Sequence, residues 1–573
     1  MKKFVADFET ISGSVDETRV WAWAISEIGN PENFKYGTKI EEFLMFCKRK
    51  ENYQIYFHNL KFDGSFIFNY LLKAGFTHVF NKEDIKSNTF TTLISEMGTF
   101  YKIEIYFHVS KTGKYQNKVT LLDSMNLFPN MSVKNIADTF HLEMKKGEID
   151  YTSYRDINHM LTSDEIDYIK RDVQIVAIAL DEFFKRGFKK ITIGSNALFF
   201  YKNLVKNFYD YFPELDLDLH RLLKESYKGG FTYLNPIYKN KTVNKGYVFD
   251  VNSLYPSVMK FETYPVGYPV FYEGKYEYDN IYKLYIQVLS CSFKLKKGKI
   301  PTIQLKNSFA FEPNEYLDSS NDEIVTLCLT SVDLELFLSH YDVENLTYHY
   351  GYKFMTMSGT TLFGSYIDYF MNEKIKAEKE GNYAMRFIAK RFLNSLYGKF
   401  GTNPETRRKY PVLENDILKY KRTDVEIINS VYVPLASFVT SYARKKTIET
   451  SQKIRDYTLK KYKKDYYIYS DTDSIHMLAC QLENLEKIIN IDKYELGFWK
   501  LESIFEKAKF LRQKCYIEKI DGDLKVTIAG LPKKLGNNVN FKNFKEGMEI
   551  QGKLVPKQVK GGIILTETTF TIK

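Results

Sequence analysis

Apolar and polar residues follow two different spacings in the first 190 residues of the chain. KKFVADFET (residues 2–10) and NYQIYFHNL (residues 52–60) are apolar runs that end in polar residues, which is typical of buried strands. Residues 162–187 have helical spacing, with Thr162 or Ser163 available as the N-cap, acidic residues in the first turn and Gly187 after the last turn. Strands that alternate with helices predict an α/β domain in this region.

The rest of the chain predicts several further units. Residues 262–357 hold many short strand patterns separated by turn residues, which predicts an inserted subdomain. Residues 365–397 have helical spacing that breaks near Gly381-Asn382, so we expect two antiparallel helices. Residues 401–432 are polar and charged and predict a protruding hairpin. A helix is predicted after Pro434, and strand patterns dominate the C-terminal region.

Length and charge indicate a large folded protein with several domains. At roughly 150 residues per domain, 573 residues suggest about four domains or subdomains. The formal net charge is +11, and residues 505–573 alone carry 14 basic and seven acidic residues. This C-terminal excess favours a polyanionic partner about as strongly as a solvated basic face. The aromatic content of 16% suits large cores and also base stacking.

The cysteines and the apolar runs indicate in which cellular compartment the protein is expected. Five cysteines without CxxC spacing argue against a disulfide framework or a zinc site and suit a reducing cytoplasm. The N-terminal apolar run stops at Asp7, which is too short for a signal peptide, and no run of about 20 apolar residues predicts a membrane span. We therefore expect a cytoplasmic protein without membrane association.

Two acidic strand patterns predict a cation site. YIYSDTDSI (residues 467–475) reads as one strand, in which Asp471 and Asp473 would share a face. Asp250 ends the apolar run of VFDVNSLYPSV, and pairing of the two strands would let it face Asp473. Converging carboxylates suit Mg²⁺, here in a two-metal site that activates a hydroxyl and stabilises a phosphoryl group. The alternative for an isolated DxD is a solvated turn or strand edge.

A basic helix accompanies these carboxylates. In RFIAKRFLNSLYGKF, Lys390, Asn394 and Tyr397 are spaced four and three residues apart and share one helix face, which Arg386 extends by a turn. Lys376 lies on the preceding predicted helix. Cations in line beside a tyrosine can hold a triphosphate and support a base. The alternative is an ordinary amphipathic helix.

A second acidic set is predicted in the first 190 residues. Asp7 and Glu9 share a strand face, and Tyr168 and Asp172 share a helix face. The set also includes Asn59 and Asp63 in FHNLKFDGSF. Its four acids can bind two further cations and activate water, with Tyr168 orienting that water. The alternative is a scatter of unrelated surface acids.

Taken together, these motifs resemble those of a known enzyme family. DVNSLYPS, AKRFLNSLYG and YSDTDS are similar to three motifs of family B DNA polymerases, and the likeness to the protein-primed enzymes of phi-29-type Bacillus phages runs nearly end to end. The resemblance implies an α/β and α+β multidomain fold, with an RNase H-like exonuclease domain and a right-hand polymerase domain of palm, fingers and thumb. It also implies two insertions associated with protein priming.

The resemblance implies roles at the polymerase site. Asp250 and Asp473 would be metal ligands together with the Val251 carbonyl, while Asp471 would support the metals less directly. Tyr255 would exclude a 2′-hydroxyl and so select dNTPs. The remaining nucleotide-binding residues would be Lys376, Arg386, Lys390, Asn394 and Tyr397. Arg386 departs from the lysine of the family, which conserves charge but not geometry.

The resemblance also implies a 3′–5′ exonuclease. DxE, Nx₃D and Yx₃D motifs are complete and in order, so Asp7, Glu9, Asp63 and Asp172 would bind metal, with Glu148 contributing. Residues that would hold the single-stranded primer end are Thr10, His58, Asn59, Phe62, Ser124, Lys146 and Tyr151. The run DSMNLFP departs from the family after the serine, which weakens the inference there.

Further DNA contacts and domain bounds follow from the same resemblance. The implied contacts are Tyr227, Gly229 and Gly230 of YKGGF, Thr440 and Arg444 of VTSYAR, and Lys514 and Tyr516 of RQKCYI, the last two on one strand face. The implied domains are exonuclease 1–192, palm 193–261 and 433–528, fingers 358–400, thumb 529–573, a terminal-protein docking insertion 262–357, and a strand-displacement insertion 401–432.

The predicted function is that of a replicative, protein-primed DNA polymerase with proofreading and strand displacement. It would copy a linear viral genome in the bacterial cytoplasm as a monomer, using Mg²⁺, with Mn²⁺ as a substitute. Expected partners are template, primer and displaced DNA, dNTPs, a terminal protein, and viral single-stranded and double-stranded DNA-binding proteins. The alternatives are an RNA-primed or repair polymerase of family B and, from another class, a non-catalytic DNA-binding relic.

Overall fold

The N-terminal domain is built around a mixed sheet with helices on both faces. The computed structural model describes residues 1–11, 16–49, 51–150, 153, 155–304 and 316–573. The elements of this domain are β1 (Lys3–Thr10), β2 (Val20–Glu27), β3 (Asn30–Gly37), α1 (Ile40–Cys47), β4 (Tyr53–Phe57), α2 (Leu60–Lys73), β5 (Thr77–His78), β6 (Thr89–Ile94), β7 (Phe100–Val109), β8 (Gln116–Asp123), α3 (Val133–Thr139) and α4 (Ser163–Lys185).

The strand order of this sheet brings distant acidic segments together. In the described residues the order is β3-β2-β1-β4-β8-β7-β6-β5, and β1, β4 and β8 run parallel. Alternate residues of β1 pack on opposite faces, so that Val5 lies in the core shared with α4 and Phe4 in the core shared with α2. The predicted α4 is confirmed, because Thr162 and Glu165 form a capping box.

The central region is a second, antiparallel sheet backed by long helices. Its elements and the connecting helices before it are α5 (Ile193–Leu204), α6 (Phe208–Tyr211), α7 (Leu217–Lys224), β9 (Thr232–Leu234), β10 (Thr242–Val251) and α8 (Leu254–Phe261). The strand order among described residues is β23-β22-β21-β10-β20-β19-β9, so strands from both ends of the region complete one sheet.

The predicted inserted subdomain is a separate four-stranded sheet in the described part of the chain. Its order is β11-β14-β12-β13. The elements are β11 (Thr263–Glu273), β12 (Leu284–Leu295), β13 (Val325–Thr330), α9 (Ser331–His340) and β14 (Tyr341–Ser358). Two antiparallel helices follow, as predicted from the break at Gly381: α10 (Gly359–Lys379) and α11 (Tyr383–Phe400).

Residues 401–432 form two nested β-ladders, here called the paired hairpins. Their strands are β15 (Glu405–Thr406), β16 (Lys409–Glu414), β17 (Ile417–Arg422) and β18 (Glu426–Ile427), with β15 pairing β18 and β16 pairing β17. They dock on the N-terminal domain, where the Tyr420 ring lies 6.4 Å from that of Phe68 and 5.9 Å from that of Phe100. They also meet the C-terminal hairpin through a bridge between Ile417 and Lys560.

The C-terminal half returns to the central sheet and then crosses to the N-terminal domain. Its elements are α12 (Val433–Tyr462), β19 (Tyr467–Asp471), β20 (Ser474–Leu478), α13 (Leu482–Leu485), β21 (Trp499–Arg512), β22 (Cys515–Ile520), β23 (Asp523–Ile528), β24 (Glu549–Val559) and β25 (Gly562–Thr571). Ile563 of β25 is buried in the same core as α2. Within the described residues, no helix has the length and apolar character that a bilayer crossing demands.

Candidate active sites

The first acidic cluster lies where β10 meets β20 in the central sheet. These strands pair antiparallel with Asp250 opposite Ser474, and the Val251 nitrogen donates to the Asp473 carbonyl oxygen at 2.8 Å. The structure therefore brings Asp250 and Asp473 together, as the sequence analysis predicted, although they are more than 200 residues apart in the chain.

The prediction that Asp471 and Asp473 share one strand face is wrong. β19 ends at Asp471 and β20 begins at Ser474, so YIYSDTDSI is a tight hairpin. Thr472 has a φ of 61°, and the Asp473 nitrogen donates to the Asp471 carbonyl oxygen at 2.7 Å. Asp471 is thus the last residue of a strand and Asp473 lies in the turn, so the two do not alternate along one strand.

The pKa values of Asp250 and Asp473 are both raised, as expected for carboxyl groups that bind a cation. Burial, then repulsion from Asp473 and Glu502, raises the pKa of Asp250 to about 7. Burial also raises the pKa of Asp473, with Asp471 and Glu502 adding to it. Glu502 lies on β21, beside β10, and sequence reasoning missed it because the pairing of β10 with β21 is not visible in the sequence. Asp250 is half-buried and Asp473 is exposed at the surface, and two carboxylates that repel each other in this way call for a positive partner.

Asp471 already has such a partner. The Lys514 ammonium lies 3.0 Å from its Oδ1 atom, and the Thr232 hydroxyl donates to the same atom at 3.2 Å. The hydroxyl of Tyr469 donates to Oδ2 at 3.3 Å. These contacts agree with a less direct role for Asp471 than for Asp250 and Asp473.

The prediction that Lys514 and Tyr516 share a strand face is also wrong. Lys514 has a φ of 54° and belongs to the turn between β21 and β22, from which it reaches Asp471. Tyr516 is on β22 but is 7% exposed, with its ring stacked on Phe510 at 5.1 Å. The buried Tyr516 therefore has little surface with which to contact DNA. Of the two residues, only Lys514 is exposed and able to make the predicted DNA contact.

Two tyrosines form a platform beside the first cluster. The rings of Tyr255 on α8 and Tyr397 on α11 stack with centroids 4.1 Å apart and planes 21° from parallel. Ser253, which precedes α8, has a φ of 55°, and this left-handed residue turns the chain from β10 into the helix. Burial, then the neighbouring Tyr255, raises the pKa of Tyr397, so that its hydroxyl stays neutral.

The predicted basic face of α11 is present. Arg386, Lys390 and Asn394 are all exposed along one side of the helix. Lys374 of α10 is half-buried, and burial, then the positive charges of Lys390 and Arg386, lowers its pKa. Lys374 was missed, since sequence reasoning selected Lys376, which is exposed on the same helix. Residues two apart on a helix point in nearly opposite directions, so the two lysines have different surroundings.

The second acidic cluster lies between β1 and α4. Carboxylate oxygens of Asp7, Glu9 and Asp172 all lie within 4.8 Å of one another. Asp63 is adjacent, with its Oδ1 atom accepting from the Phe8 nitrogen at 3.2 Å. Burial, then repulsion from Asp172, raises the pKa of Asp7 to about 7, and burial, then Asp7, raises that of Glu9 and Asp63 further. A cation between them would relieve this repulsion.

Lys146 supplies a positive charge to this cluster. Its ammonium lies 2.7 Å from the Asp172 Oδ2 atom and 5.3 Å from the centre of the Tyr168 ring. Tyr168 and Asp172 lie one turn apart on α4, as predicted. Glu148 is exposed and is not among the three acids that converge here. Tyr151 lies outside the residues that the structure describes.

The predicted single-strand contacts surround the start of α2. His58 contacts the Ser124 hydroxyl through Nδ1 at 2.9 Å and the Met131 carbonyl through Nε2 at 2.7 Å. Ser124 is fully buried and its hydroxyl contacts His58, which fits an indirect contribution through His58, while direct DNA contact by this side chain stays a prediction. Thr10 and Phe62 are half-buried at the surface near the acids.

Asp123 is a residue of this site that sequence reasoning missed. Its Oδ1 atom accepts from the nitrogens of Asn59 at 3.1 Å and Met125 at 2.9 Å. Asn59 has a φ of 81° and is the N-cap of α2, the helix that carries Phe62 and Asp63. The only sequence signal was an aspartate directly before Ser124, which indicates a turn.

YKGGF connects the central sheet to the first cluster. The Thr472 nitrogen donates to the Phe231 carbonyl oxygen at 2.7 Å, and a Cβ atom at Gly230 would lie 2.7 Å from the Thr472 hydroxyl. Glycine at 230 therefore lets the backbone lie against the Thr472 side chain, whereas a Cβ atom at Gly229 would meet open space. The Tyr227 ring packs equally closely against Gly401.

Thr440 and Arg444 do not contribute DNA-contacting surface in this structure. They are 2% and 4% exposed. The Arg444 guanidinium binds both carboxylate oxygens of Asp333 and donates to the carbonyls of Lys228 and Gly229 at 2.9 and 2.8 Å. Its donors are therefore occupied, and two of them connect α12 to the backbone of YKGGF.

Comparisons with known proteins agree with this geometry. The family described as DNA polymerase type B, organellar and viral, matches residues 45–165 and 154–490. The DNA polymerase of Bacillus phage Nf is 42% identical over 593 residues, covering 100% of both chains.

Two solved structures extend the match to the fold. Phi29 DNA polymerase complexed with primer-template DNA aligns with a TM-score of 0.92 and 40% identity, covering 100% of both chains. The same enzyme complexed with primer-template DNA and incoming nucleotides aligns with a TM-score of 0.91 and 39% identity, also over 100% of both chains. With its fold and full length matched in this way, the chain belongs to the type B DNA polymerases and, among them, to the phi29-type enzymes of Bacillus phages.

Proposed function

We propose that this DNA polymerase is a replicative, protein-primed enzyme that adds nucleotides at the first acidic cluster and removes them at the second. The observation that carries the proposal is the convergence of Asp250 and Asp473 from two strands, next to the Tyr255–Tyr397 platform. Intact acids at both clusters disfavour a non-catalytic relic.

Both clusters suit hard divalent cations. Asp250, Asp473 and the Val251 carbonyl would hold them at the first cluster, and Asp7, Glu9, Asp63 and Asp172 at the second, with Glu148 as a further ligand. Half-buried carboxylates with raised pKa values, such as Asp250 and Asp7, are the donors that such a cation would neutralise. Bound Mg²⁺, or Mn²⁺ in its place, would lower the pKa of an attacking hydroxyl or water and neutralise phosphate charge.

The residues around the first cluster fit a deoxynucleoside triphosphate. Lys390, Arg386 and Lys374 would hold the phosphates, whereas Lys376 points to a different side of α10. Asn394 and Tyr397 would flank the nascent base pair. Tyr255 would lie under the sugar and exclude a 2′-hydroxyl. Phi29 DNA polymerase has been solved with primer-template DNA and incoming nucleotides, which supports this arrangement in a chain 39% identical.

The second cluster fits removal of a frayed primer end. Tyr168 would orient the attacking water, and Lys146 would balance the acids until cations bind. His58, Asn59, Thr10 and Phe62 would hold the single strand, with a base stacked on Phe62. Tyr151 is proposed for the same role.

Contacts with duplex DNA are proposed along the central region. Tyr227, Gly229 and Gly230 would follow the template, and Lys514 would reach the primer. Ser124, Arg444 and Tyr516 would act indirectly, by orienting His58, YKGGF and Tyr469 in turn. Thr440, whose hydroxyl donates to the Ala436 and Ser437 carbonyls, would act through the shape of α12. The partly exposed surface of YKGGF and the exposure of Lys514 support the first two assignments.

The two insertions distinguish protein priming from RNA priming. The sheet of residues 262–357 would dock a terminal protein whose hydroxyl starts the strand, and the paired hairpins would open the downstream duplex. Viral single-stranded and double-stranded DNA-binding proteins are the expected helpers, in the cytoplasm of a bacterial host. The polymerase itself would act as a monomer.

The test is incorporation of dAMP onto a purified terminal protein from the same genome, with Mg²⁺ and no oligonucleotide. We expect a labelled protein with wild-type enzyme and none with Asp473→Asn, which should still bind DNA. The loss should exceed the roughly 10–100-fold typical of second-shell changes, because a ligand itself is removed. Extension of an RNA primer with no labelling of the protein would support the RNA-primed alternative instead.

A second experiment tests the paired hairpins. Replacing residues 401–432 with a short linker should abolish copying through duplex DNA while sparing extension on a short single-stranded template. Replacing only the tip residues Asn415 and Asp416, which lie at the turn between β16 and β17, leaves Tyr420 in place as a folding control. Unchanged displacement by the linker variant would contradict the assignment.

A further inference from the structure

A cleft lies along the seam between the N-terminal domain and the paired hairpins. Its volume is about 760 Å³. One wall comes from the outer strands β6 to β8 and the segment before β6, including Phe80, Lys82 and Lys118. The other wall comes from β16 and its neighbours, including Lys409 and Tyr410. None of these residues has a role in either acidic cluster.

The lining of the cleft is basic. Among its described lining residues, five basic side chains face two acidic ones. Glu104 is shared by Lys102 at 2.7 Å and Lys118 at 2.9 Å, and Arg408 pairs with Glu426 at 2.7 Å. These ion pairs fix three basic side chains with only two acidic ones, so a positive charge remains. Lys82 and Lys409 add two further positive charges to the cleft. A groove with this charge attracts a phosphate backbone.

Aromatic rings also line the cleft. Phe80 is 55% exposed, although it is a large apolar residue in a polar surrounding. Its ring lies 5.0 Å from that of Tyr410, which in turn stacks on His78 at 5.6 Å. Basic side chains with accessible rings are the combination by which proteins bind single strands, since bases stack on the rings while cations follow the backbone.

The wall formed by the hairpins is held rigidly. Tyr420 packs between Phe68 and Phe100, and a β-bridge joins Ser95 to Arg408. Arg422 adds an ion pair with Glu96 at 3.4 Å. The cleft therefore has a fixed shape and lies directly beside the segment proposed to open the duplex.

We infer that this cleft binds the displaced, non-template DNA strand after it leaves the paired hairpins. The inference rests on the proposed displacement function and extends it by giving the released strand a path. Capture of that strand would oppose its return to the template, so the cleft would increase displacement without affecting the chemistry of nucleotide addition.

The first test compares two templates. Lys82→Glu combined with Lys409→Glu, and separately Phe80→Ser, are assayed on a single-stranded template and on a gapped duplex at several salt concentrations. Lys463→Glu with Lys464→Glu, in the exposed turn after α12, is the charge-matched control. We expect the cleft variants to lose about fivefold or more on the gapped duplex alone, with a weaker salt dependence.

The second test identifies the strand. A photoreactive thymidine is placed in the displaced strand or, in a parallel reaction, in the template, and crosslinked peptides are identified by mass spectrometry. We expect crosslinks from the displaced strand to the peptides of Phe80 or Tyr410. Equal losses on both templates, no loss, or crosslinks from the template strand would overturn the inference. A wild-type enzyme that copies single strands but never opens duplex would overturn the displacement function itself.

Discussion

The Val251 nitrogen donates to the Asp473 carbonyl oxygen at 2.8 Å, and this bond aligns the end of β10 with the turn that follows β19. This bond places the carboxylate of Asp250, at the end of β10, next to that of Asp473, in the turn before β20. Because the bond uses main-chain atoms, the alignment does not depend on the side chains that would bind cations. Asp250→Asn or Asp473→Asn should therefore change charge without changing the strand pairing.

Removing acids from the second cluster should separate the two activities. Asp7→Ala combined with Glu9→Ala is expected to abolish degradation of single-stranded DNA and leave primer extension within about twofold of wild type, because β1 belongs to a different sheet from β10 and β20. The measurement is release of labelled 3′-nucleotides beside extension of the same primer. Equal loss of both activities would contradict separate sites.

Asp123 should act as a positioning residue for the same cluster. Asp123→Ala removes the acceptor for the Asn59 nitrogen and is expected to lower the exonuclease rate about tenfold, within the range of second-shell effects. Asp123→Asn keeps an acceptor oxygen and should restore most of the rate. An equal decline in both variants, or a parallel decline in DNA synthesis, would indicate general destabilisation instead.

Cation affinity should increase with pH. The pKa values of Asp250 and Asp7 are raised to about 7, so protons compete with cations below that pH. We expect apparent Mn²⁺ affinity to rise between pH 6 and 8, by up to about tenfold per pH unit for each displaced proton. Electron paramagnetic resonance of free Mn²⁺ measures this directly, with Asp250→Asn and Asp7→Asn as controls. A flat profile would contradict the assignment.

The same pKa values affect stability in the absence of cations. The unfolded chain loses these protons near the ordinary value of 3.8, whereas the folded chain keeps them to about 7. The free energy of unfolding of the metal-free protein should therefore decrease as pH rises through this interval, and added cations should stabilise more at pH 8 than at pH 6.

The buried pair of Arg444 and Asp333 should contribute strongly to stability. Their side chains are 4% and 13% exposed, and Asp333→Asn would leave the guanidinium charge unpaired. We expect a loss of about 3–5 kcal/mol in the free energy of unfolding. The neighbouring Lys445–Glu335 pair, with Glu335 69% exposed, is the control, and Glu335→Gln should cost less than about 1 kcal/mol. Similar denaturant midpoints for both variants would contradict this difference.

Local sequence patterns predicted the elements whose signals are local. The caps of α4 and the break between α10 and α11 follow from spacing and turn residues. For residues 401–432 the sequence predicted one protruding hairpin, whereas the structure has two nested ladders that dock on the N-terminal domain. The hairpin at Asp471 was missed because its turn rests on Thr472, a β-branched residue that rarely adopts positive φ. Strong strand propensity on both sides concealed the reversal.

The site was predictable only in its charged residues. Motif resemblance identified Asp250, Asp473 and the four acids of the second cluster, and the structure brings each group together. Burial was not predictable, because Arg444, Tyr516 and Ser124 have the polar character of surface residues and become buried only through contacts distant in sequence. Asp123, Lys374 and Glu502 were not predicted for the same reason, because the residues that they contact belong to other elements of the fold.

Anomalous diffraction from crystals grown with Mn²⁺, primer-template DNA and a non-hydrolysable dNTP would locate the cations of the first cluster. We predict a Mn²⁺ peak bound by carboxylate oxygens of both Asp250 and Asp473, at about the 2.0–2.2 Å typical of small divalent cations with oxygen ligands. A well-ordered complex with the nucleotide bound and no metal between these two carboxylates would contradict it.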